Sequence, residues 1–565
     1  MSEAPQTPAP SVLARFAREL LPLAVLLGVC AKCTHDIWRT SDLTPTDEIS
    51  YALHGKMLGS PLWPDLPNEP LYVPLYAAWY RALHQLPVAP EFLPHVSQAL
   101  LLSALAVLMY ALLRRLGTGR AVAVLAASVL VLNTRFATIN PFPHHLATAL
   151  LALGAFVGTF QRSALAACGP VALATLAAVY ARNEFATMLL GLLPVYLLAG
   201  LRACRTLDGR RAFLPWAVPF LGALIACHFT LGLSAPNGQR GMIAFVQHFV
   251  RNAAEVEGRG PEVWNFLLYD EFERSFGDVK SVSEATRARP DLVAWHLWRN
   301  LSRAPGIARD QLAPRAPFGG TCAQPARLLV LFAVCAGLFL CARRAIREGA
   351  PQALKAVMLA ALPAFGASGA AAVVIYPREH YLVPALFFLM VLGASGLPAP
   401  RWPARFGAPS FGKRTAVALV GAALLLVTVP TANNRATILE PLFSKRQWVP
   451  TFELRETTTL LRELDLPPGA RVMNHHPALW LVITWMNPPI VYVLPDGTDD
   501  FRAFCERTRV DVIVLNEFML AHPRFKDDTA FRALCAETDC GPFEVRRTPS
   551  GARVAVRSAT IPPGR

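Results

Sequence analysis

The sequence predicts an α-helical protein that crosses a membrane about eleven times and ends in a small soluble α/β domain. Three observations predict this. Hydrophobic residues make up 53% of the 565-residue chain and charged residues only 16%, with a mean hydropathy of +0.36, which is too apolar for a soluble globular protein. Apolar runs near the roughly 20 residues that a bilayer requires recur up to about residue 431. Beyond residue 447 charge returns, and short strand patterns alternate with helix patterns.

The candidate membrane spans share this length and composition. Their approximate limits are 17 to 36, 95 to 113, 120 to 138, 144 to 161, 164 to 181, 185 to 201, 212 to 232, 326 to 342, 353 to 375, 381 to 398 and 415 to 431. Arginines are concentrated in the short segments on one side, such as residues 202–211 and 401–414. By the positive-inside rule this side is cytoplasmic, which places the amino terminus inside and the carboxyl terminus outside.

The net charge of +15 does not indicate nucleic-acid binding. The basic residues are dispersed over short segments between apolar runs, where membrane topology accounts for them. We therefore expect no nucleic-acid partner. Arginine supplies nearly all of the basic residues, which fits a bacterial genome rich in G and C, so we expect a multi-pass protein of the bacterial inner membrane.

The pattern divides the chain into a membrane domain, residues 1–431, and an extracytoplasmic α/β domain, residues 432–565. In the second domain a helix is predicted at 453–464, followed by β-rich runs from residues 471, 490 and 511 and by helices at 500–508 and 528–537. The last part, 543–559, predicts a hairpin around Pro549, Ser550 and Gly551. We expect this domain to be accessory, because it contains no defensible set of catalytic residues.

Cysteine and histidine give little evidence for a cofactor. Two of Cys505, Cys535 and Cys540 could form one disulfide in an oxidising compartment. His475 and His476 are adjacent, but the further ligands that a zinc site needs are not evident. We expect no cofactor; a divalent metal is an alternative that the sequence does not support.

Two adjacent carboxylates, Asp47 and Glu48, follow the first span. They begin a short predicted helix that lies along the membrane surface and contains Tyr51. Acidic residues are common in the first turn of a helix because they interact favourably with its dipole. Alone, the pair therefore favours a structural role over a catalytic one.

Ionisable residues also occur where spans meet on the same side. Arg182 and Glu184 lie at one junction, and Arg378, Glu379 and His380 at another. An ionisable group at mid-bilayer costs about 2.5–3.5 kcal/mol, so these side chains should lie at a membrane face or in a wet cavity. Anchoring at the interface, or pairing of an arginine with a glutamate, is the structural alternative at each junction.

In their order, these features resemble the GT-C superfamily of integral membrane glycosyltransferases, which includes the protein O-mannosyltransferases and the lipid A aminoarabinose transferases. The resemblance covers about residues 17 to 431. It consists of a first helix, an external loop that opens with Asp47, Glu48 and Tyr51, an Arg-x-Glu turn at 182–184, and the segment "HYLVPALFFLMVLGA" from His380. The sequence departs from common members by Asn183 where they have proline and by His380 where they have arginine.

The resemblance implies an inverting glycosyltransferase that moves a sugar from a polyprenyl-phosphate donor to a hydroxyl of a lipid, glycan or protein acceptor outside the cytoplasm, amid membrane lipids. Removing the hydroxyl proton requires a base, and Asp47 is the candidate, with Glu48 orienting it or binding the acceptor. A guanidinium can bind two phosphate oxygens at once, so Arg378 is the candidate for the phosphate. The remaining expected substrate-binding residues are Tyr51, Arg182, Glu184, His380 and Tyr381.

Two other functional classes fit a chain with many spans: a transporter or lipid flippase, and a noncatalytic membrane scaffold. A transporter usually shows repeated halves and charged residues near the bilayer midplane. This sequence shows no obvious inverted repeat, and its candidate residues cluster at one face, which favours the enzyme.

Overall fold

A computed structural model describes residues 12–34, 47–60, 73–132, 142–231, 239–259, 268–312, 323–398, 453–475, 490–493 and 500–560. Helices occupy ten of the eleven predicted spans. The eleventh, residues 415–431, and the predicted domain boundary after residue 431 lie outside the described residues.

The first part of the chain is helical in every described segment. In chain order its helices are α1 (Val12–Thr34), α2 (Asp47–Met57), α3 (Pro74–Leu83), α4 (Leu93–Arg115), α5 (Arg120–Leu132), α6 (Phe142–Gly158), α7 (Ala164–Ala181), α8 (Phe185–Ala203), α9 (Leu207–Leu231), α10 (Gln239–Val256), α11 (Leu268–Phe276), α12 (Val282–Ala288), α13 (Pro290–Leu312), α14 (Ala323–Glu348), α15 (Gln352–Ala370) and α16 (Glu379–Gly396). One π-helical turn, Ala371–Ile375, extends α15.

Apolar length identifies the helices that can cross a bilayer. Helices α4, α7, α8, α9, α14, α15 and α16 are long and apolar enough, and α1, α5 and α6 contain shorter apolar segments. The protein is therefore a multi-pass membrane protein. The predicted fold class is confirmed, since a helical membrane part is followed by a small sheet domain.

Small residues allow the membrane helices to pack closely. A Cβ atom added to Gly154 of α6 would lie 2.4 Å from the Cβ of Ala174 in α7. Between α14 and α16, a Cβ added to Gly337 would collide with the carbonyl of Gly393, and one added to Gly396 with the carbonyl of Gly337. In lipid, where water does not drive helices together, such backbone approach supplies much of the packing energy.

The long segment between α9 and α14 folds as a helical layer at the end of the membrane helices. Helices α10, α11 and α13 enclose an aromatic core formed by Phe245, Phe249, Phe272 and Phe276. Helix α13 packs against the π-helical turn that ends α15. This layer therefore lies beside the junction between α15 and α16.

The carboxyl-terminal part is the predicted α/β domain. Its elements are α17 (Glu453–Glu463), β1 (Arg471–Met473), β2 (Val491–Val493), α18 (Phe501–Arg507), β3 (Val512–Val514), α19 (Glu517–Leu520), α20 (Thr529–Ala536), β4 (Phe543–Arg547) and β5 (Arg553–Arg557). The strand order is β2-β1-β3-β5-β4, parallel across the first three strands and antiparallel in the hairpin of β4 and β5. The predicted helices, strands and hairpin are confirmed.

The disulfide considered for this domain is not formed. Cys505, Cys535 and Cys540 are all free thiols. Cys505 is buried in the hydrophobic core of the domain, and the other two pack at the edge of that core. In this arrangement the cysteines act as small apolar residues.

Candidate functional site

A cavity at the ends of the membrane helices gathers side chains from distant segments. Its lining includes six residues that the sequence singles out: Tyr51, Arg182, Glu184, Arg378, His380 and Tyr381. They come from α2, from the link between α7 and α8, and from the start of α16. Phe142 and His144 of α6 and His248 of α10 complete much of the wall.

The turn between α7 and α8 contributes an ion pair. Helix α7 ends at Ala181 and α8 begins at Phe185, so Arg182 and Glu184 occupy the link. The Nε atom of Arg182 lies 2.8 Å from Oε2 and 3.0 Å from Oε1 of Glu184, and both side chains are about nine-tenths buried, at 9% exposure. The Arg182 guanidinium also lies 5.8 Å from the centre of the Tyr381 ring. The turn therefore presents a neutralised, aromatic-backed pair to the cavity.

The link between α15 and α16 contributes an exposed arginine. Arg378 has extended backbone geometry immediately before α16, and its side chain lines both this cavity and an adjoining one. Within the described residues no carboxylate forms an ion pair with it. Its guanidinium is thus available to an anion from either cavity.

His380 and Tyr381 lie at the first turn of α16 among other rings. His380 stacks on Phe142 with ring centres 4.2 Å apart, and His144 approaches it at 5.2 Å. His144 also meets the Tyr381 ring edge-on at 5.1 Å. The start of α6 and the start of α16 are therefore joined by aromatic contacts.

The adjoining cavity is lined by cationic groups, by apolar groups and by one carboxylate, that of Glu379. Arg251, Tyr376 and Arg378 line it together with Ile307 and Val383. Arg378 and His380, with Phe142, separate it from the first cavity, because all three side chains belong to both walls. An anion with an apolar tail would find suitable partners along this wall.

A cluster of arginines surrounds Glu255 next to Tyr376. Glu255 pairs with Arg303 at 2.7 Å, with Arg251 at 3.2 Å and with Arg299 at 3.7 Å. Tyr376 donates its hydroxyl to the same carboxylate at 3.1 Å. Burial raises the pKa of Glu255, but the charge of Arg303 and the hydrogen bonds outweigh this and leave the pKa below its usual range. Three cations against one carboxylate leave positive charge beside Arg378.

A buried polar cluster fixes the backbone that precedes Arg378. Asn300 donates to the carbonyl of Val373 at 2.9 Å, and His296 Nε2 lies 3.1 Å from the carbonyl of Ile375. Asn252 Nδ2 lies 3.0 Å from His296 Nδ1, and an amide nitrogen can only donate, so Nδ1 is the acceptor. The neutral ring then carries its proton on Nε2, which donates to the carbonyl of Ile375. Burial lowers the pKa of His296 to about 4. These contacts satisfy carbonyls that the π-helical turn leaves open.

Glu48 lies buried behind the cavity wall. Its Oε2 atom accepts hydrogen bonds from the hydroxyls of Tyr76 at 2.8 Å and Tyr80 at 2.5 Å. Burial and then the charge of Glu48 hold the pKa of both tyrosines well above the usual range, so they remain donors. The described lining of the cavity includes Tyr51, one turn further along α2, but not Glu48.

Close contact between α2 and α3 makes this arrangement feasible. A Cβ atom added to Gly55 would lie 2.5 Å from the Cβ of Tyr80 and 2.7 Å from the nitrogen of Arg81. Only glycine allows the two helices to approach so closely at this point. Helix α2 begins at Asp47 as predicted, but the side chain of Asp47 lies outside the described residues.

Several residues of the site were not singled out from the sequence. Tyr76 and Tyr80 are spaced four residues apart on α3, which signals a shared helix face but not a partner. His144, in the first turn of α6, belongs to the sequence segment "NPFPHH" at residues 140–145, which is predicted to lie on the same side of the membrane as the other candidates. The buried polar cluster of Asn252, His296 and Asn300 has no local signal in the sequence.

No group of three or more His, Cys, Asp or Glu side chains in the described segments is arranged to hold a metal ion. Cationic and aromatic groups dominate the cavity wall instead. Arg182, Arg378, His144, His248 and His380 all contribute to it, against the one carboxylate of Glu184. What the described wall can do is bind an anion and pack against a ring-shaped substrate.

Solved structures of an oligosaccharyltransferase are similar to this chain over nearly its whole length. Archaeal oligosaccharyltransferase AglB from Archaeoglobus fulgidus, in complex with an inhibitory peptide and a dolichol-phosphate, is 13% identical with a TM-score of 0.41; the alignment covers 98% of this chain and 76% of that one. The apo form of the Archaeoglobus fulgidus oligosaccharyltransferase gives 15% identity, a TM-score of 0.44 and the same coverage. The complex of the same enzyme with Zn and sulfate is 11% identical with a TM-score of 0.41, and the alignment covers 96% of this chain and 74% of that one.

No protein-family profile and no curated protein sequence matches this chain. At 11–15% identity and TM-scores of 0.40–0.44, the structural similarities do not assign an activity. The residues of the cavity therefore carry the functional assignment.

Proposed function

We propose that this protein is an inverting GT-C glycosyltransferase that moves a sugar from a polyprenyl-phosphate donor to an acceptor hydroxyl. The observation that carries the proposal is the single cavity lined by Tyr51, Arg182, Arg378, His380 and other residues from separate segments. These are the residues that the sequence resemblance assigns to substrate binding. A transporter or scaffold gives no reason for them to converge at one end of the helices.

The donor phosphate is assigned to Arg378. Its exposed guanidinium has no carboxylate partner among the described residues, whereas Arg182 is already paired with Glu184. The positive cluster around Glu255 adds to the attraction for a dianion or pyrophosphate. The apolar wall at Ile307 and Val383 provides a place for the first isoprene units of the carrier.

In the proposed reaction the acceptor oxygen attacks the anomeric carbon from the side opposite the phosphate. The bond from the anomeric carbon to the phosphate oxygen breaks, and its electron pair leaves with the phosphate, whose charge Arg378 stabilises. The hydroxyl proton passes to the carboxylate of Asp47. One displacement of this kind inverts the anomeric configuration.

The other site residues are assigned supporting roles. Glu48, held by Tyr76 and Tyr80, fixes the first turn of α2 and thereby positions Asp47 and Tyr51. Arg182 with Glu184, and His380 with Tyr381, bind the sugar or acceptor along the cavity wall.

The location and the second domain belong to the same proposal. We place the protein in a bacterial inner membrane, with the cavity and residues 432–565 outside the cytoplasm. The Arg455 guanidinium of α17 lies 5.4 Å from the centre of the Phe92 ring, just before α4, which brings the α/β domain against the membrane part. We assign that domain an accessory role in docking the acceptor, which is a lipid, glycan or protein.

Mass spectrometry of cell-envelope glycans and glycolipids from a strain that lacks the protein tests the proposal. We expect one glycan to lose a sugar and the wild-type gene to restore it. Asp47→Asn should fail to restore it, although the variant reaches the membrane, while Asp270→Asn, an exposed carboxylate of α11, should restore it fully. An unchanged envelope, or full restoration by Asp47→Asn, would refute the assigned chemistry.

A further inference from the structure

An apolar groove opens between α7, α8 and α15 at the ends of these helices that lie away from the candidate site. Its volume is about 570 Å³, and Leu165, Leu198, Met358 and Leu362 are among the residues that line it. All three helices are long and apolar enough to cross a membrane. Each of these helices runs from the groove to the candidate site. At a rise of 1.5 Å per residue, the groove and the candidate site therefore lie roughly 25–30 Å apart.

Two cations stand at the mouth of this groove. Arg202 lies in the last turn of α8, and Lys355 in the first turn of α15; both are exposed and line the groove. Neither forms an ion pair with a carboxylate in the described segments. A cation in the last turn of a helix stabilises it, but one in the first turn opposes the helix dipole. Helix stability therefore does not account for Lys355.

The apolar wall is open to the surroundings of the protein. Leu198 is 58% exposed, Leu362 is 55% exposed, and Met358 is 49% exposed. On membrane-spanning helices such side chains face lipid. The groove therefore faces lipid and ends near the membrane surface at the cationic side chains of Arg202 and Lys355.

We propose that this groove binds one anionic glycerophospholipid, with its phosphate between Arg202 and Lys355 and an acyl chain along Leu198 and Met358. Basic residues at the membrane boundary attract anionic headgroups, and the groove supplies contacts that a flat helix surface lacks. A second copy of the chain is a poorer occupant, because it would bury two cations without partners. The polyprenyl donor is also poorer, since its phosphate would lie at the end of the helices opposite Arg378.

Native mass spectrometry of the full-length protein tests this site. The purified protein is titrated with phosphatidylglycerol and, in parallel, with phosphatidylcholine that has the same acyl chains. We expect one tightly bound phosphatidylglycerol. At about 1 kcal/mol for each basic residue near the headgroup, two residues correspond to a preference of roughly thirtyfold. Arg202→Gln/Lys355→Gln should abolish this preference without loss of folded protein, because both side chains are exposed.

A charge-matched control is available on the same face. Arg343→Gln/Arg347→Gln removes two exposed arginines from the end of α14, which the short link 349–351 joins to α15, and should keep the bound lipid. Met358→Trp fills the groove without changing its charge and should also reduce the binding of phosphatidylglycerol. Equal binding of the two lipids by the wild type, or equal loss in the two double variants, would overturn the proposal.

Discussion

The two links that contribute arginines to the cavity use them in opposite ways. At the turn after α7, Arg182 is buried and paired with Glu184 two residues later. At the turn before α16, Arg378 is exposed and has no ion pair within the described residues, while the backbone before it is held by Asn300 and His296. The first arginine is neutralised within its own link; the second is held in place and left charged.

This difference separates stability from ligand binding. A buried ion pair contributes chiefly because losing one partner leaves the other charge uncompensated. An exposed arginine on a fixed backbone contributes little to folding stability, so its interaction energy is available for binding a ligand. We therefore expect substitutions at the two links to have different signatures.

The largest effect is expected at Arg378. Arg378→Gln removes both hydrogen bonds to a phosphate, at about 1.5–3 kcal/mol each, and should lower the rate of sugar transfer about a hundredfold or more. Arg378→Lys keeps the charge without the fork and should lose about ten- to a hundredfold. The thermal stability of both variants should match the wild type. Arg287→Gln, an exposed arginine of α12, is the control; a comparable loss in that variant would remove the special role of Arg378.

The next effect concerns the buried pair. Glu184→Gln removes the carboxylate that pairs with Arg182 and should lower the free energy of unfolding by about 3 kcal/mol. Arg182→Gln/Glu184→Gln should recover part of this loss, because both members of this ion pair are then neutral. Thermal unfolding in detergent measures both variants. If Glu184→Gln were as stable as the wild type, the pair would not be the structural element that we describe.

A pH-dependent effect is expected from the buried polar cluster that contains His296 and holds the backbone before Arg378. Burial lowers the pKa of His296 to about 4, so its stabilising contribution is present above the usual histidine pKa and is lost as the pH falls toward 4. The difference from an ordinary pKa near 6.5 corresponds to roughly 3 kcal/mol. Thermal stability measured between pH 7 and pH 4 should therefore fall less steeply in His296→Gln than in the wild type. His228→Gln replaces an exposed histidine of α9 and should follow the wild-type profile. Identical slopes in all three proteins would exclude His296 as the source of the pH dependence.

The smallest effect is expected at Gly55, which supports the other side of the cavity. Gly55→Ala places a Cβ atom 2.5 Å from the Cβ of Tyr80, and such overpacking typically costs about 1–3 kcal/mol. Gly28→Ala is the matched control, since an added Cβ there meets nothing within 4 Å and alanine favours a helix. Both are measured by thermal unfolding. A stabilised Gly55→Ala protein would mean that α2 and α3 are farther apart than described.

Local patterns in the sequence predicted much of the fold. Hydropathy located the membrane helices, because a helix must be apolar over its whole length to cross a bilayer. The links at Arg182 and Arg378 followed from the ends of those helices. The strands and hairpin after residue 471 followed from runs of β-branched residues and a turn at Ser550 and Gly551.

Contacts between distant residues could not be predicted in this way. Tyr76 and Tyr80 reach Glu48 across 28 and 32 positions, and His296 reaches Ile375 across 79. Nothing in a window of 20 residues encodes such a partner. The assignment of Asp47 as the base stays a prediction, since its side chain lies outside the described residues.

Transfer by the purified protein in lipid bilayers tests the central claim most directly. The sugar that the deletion strain lacks is supplied either on a polyprenyl phosphate or on a nucleoside diphosphate, and the anomeric configuration of the product is determined by NMR. We predict transfer only from the lipid-linked donor, with inversion, and almost none by Arg378→Gln. Transfer from the nucleotide sugar, retention of configuration, or full activity of Arg378→Gln would contradict the account.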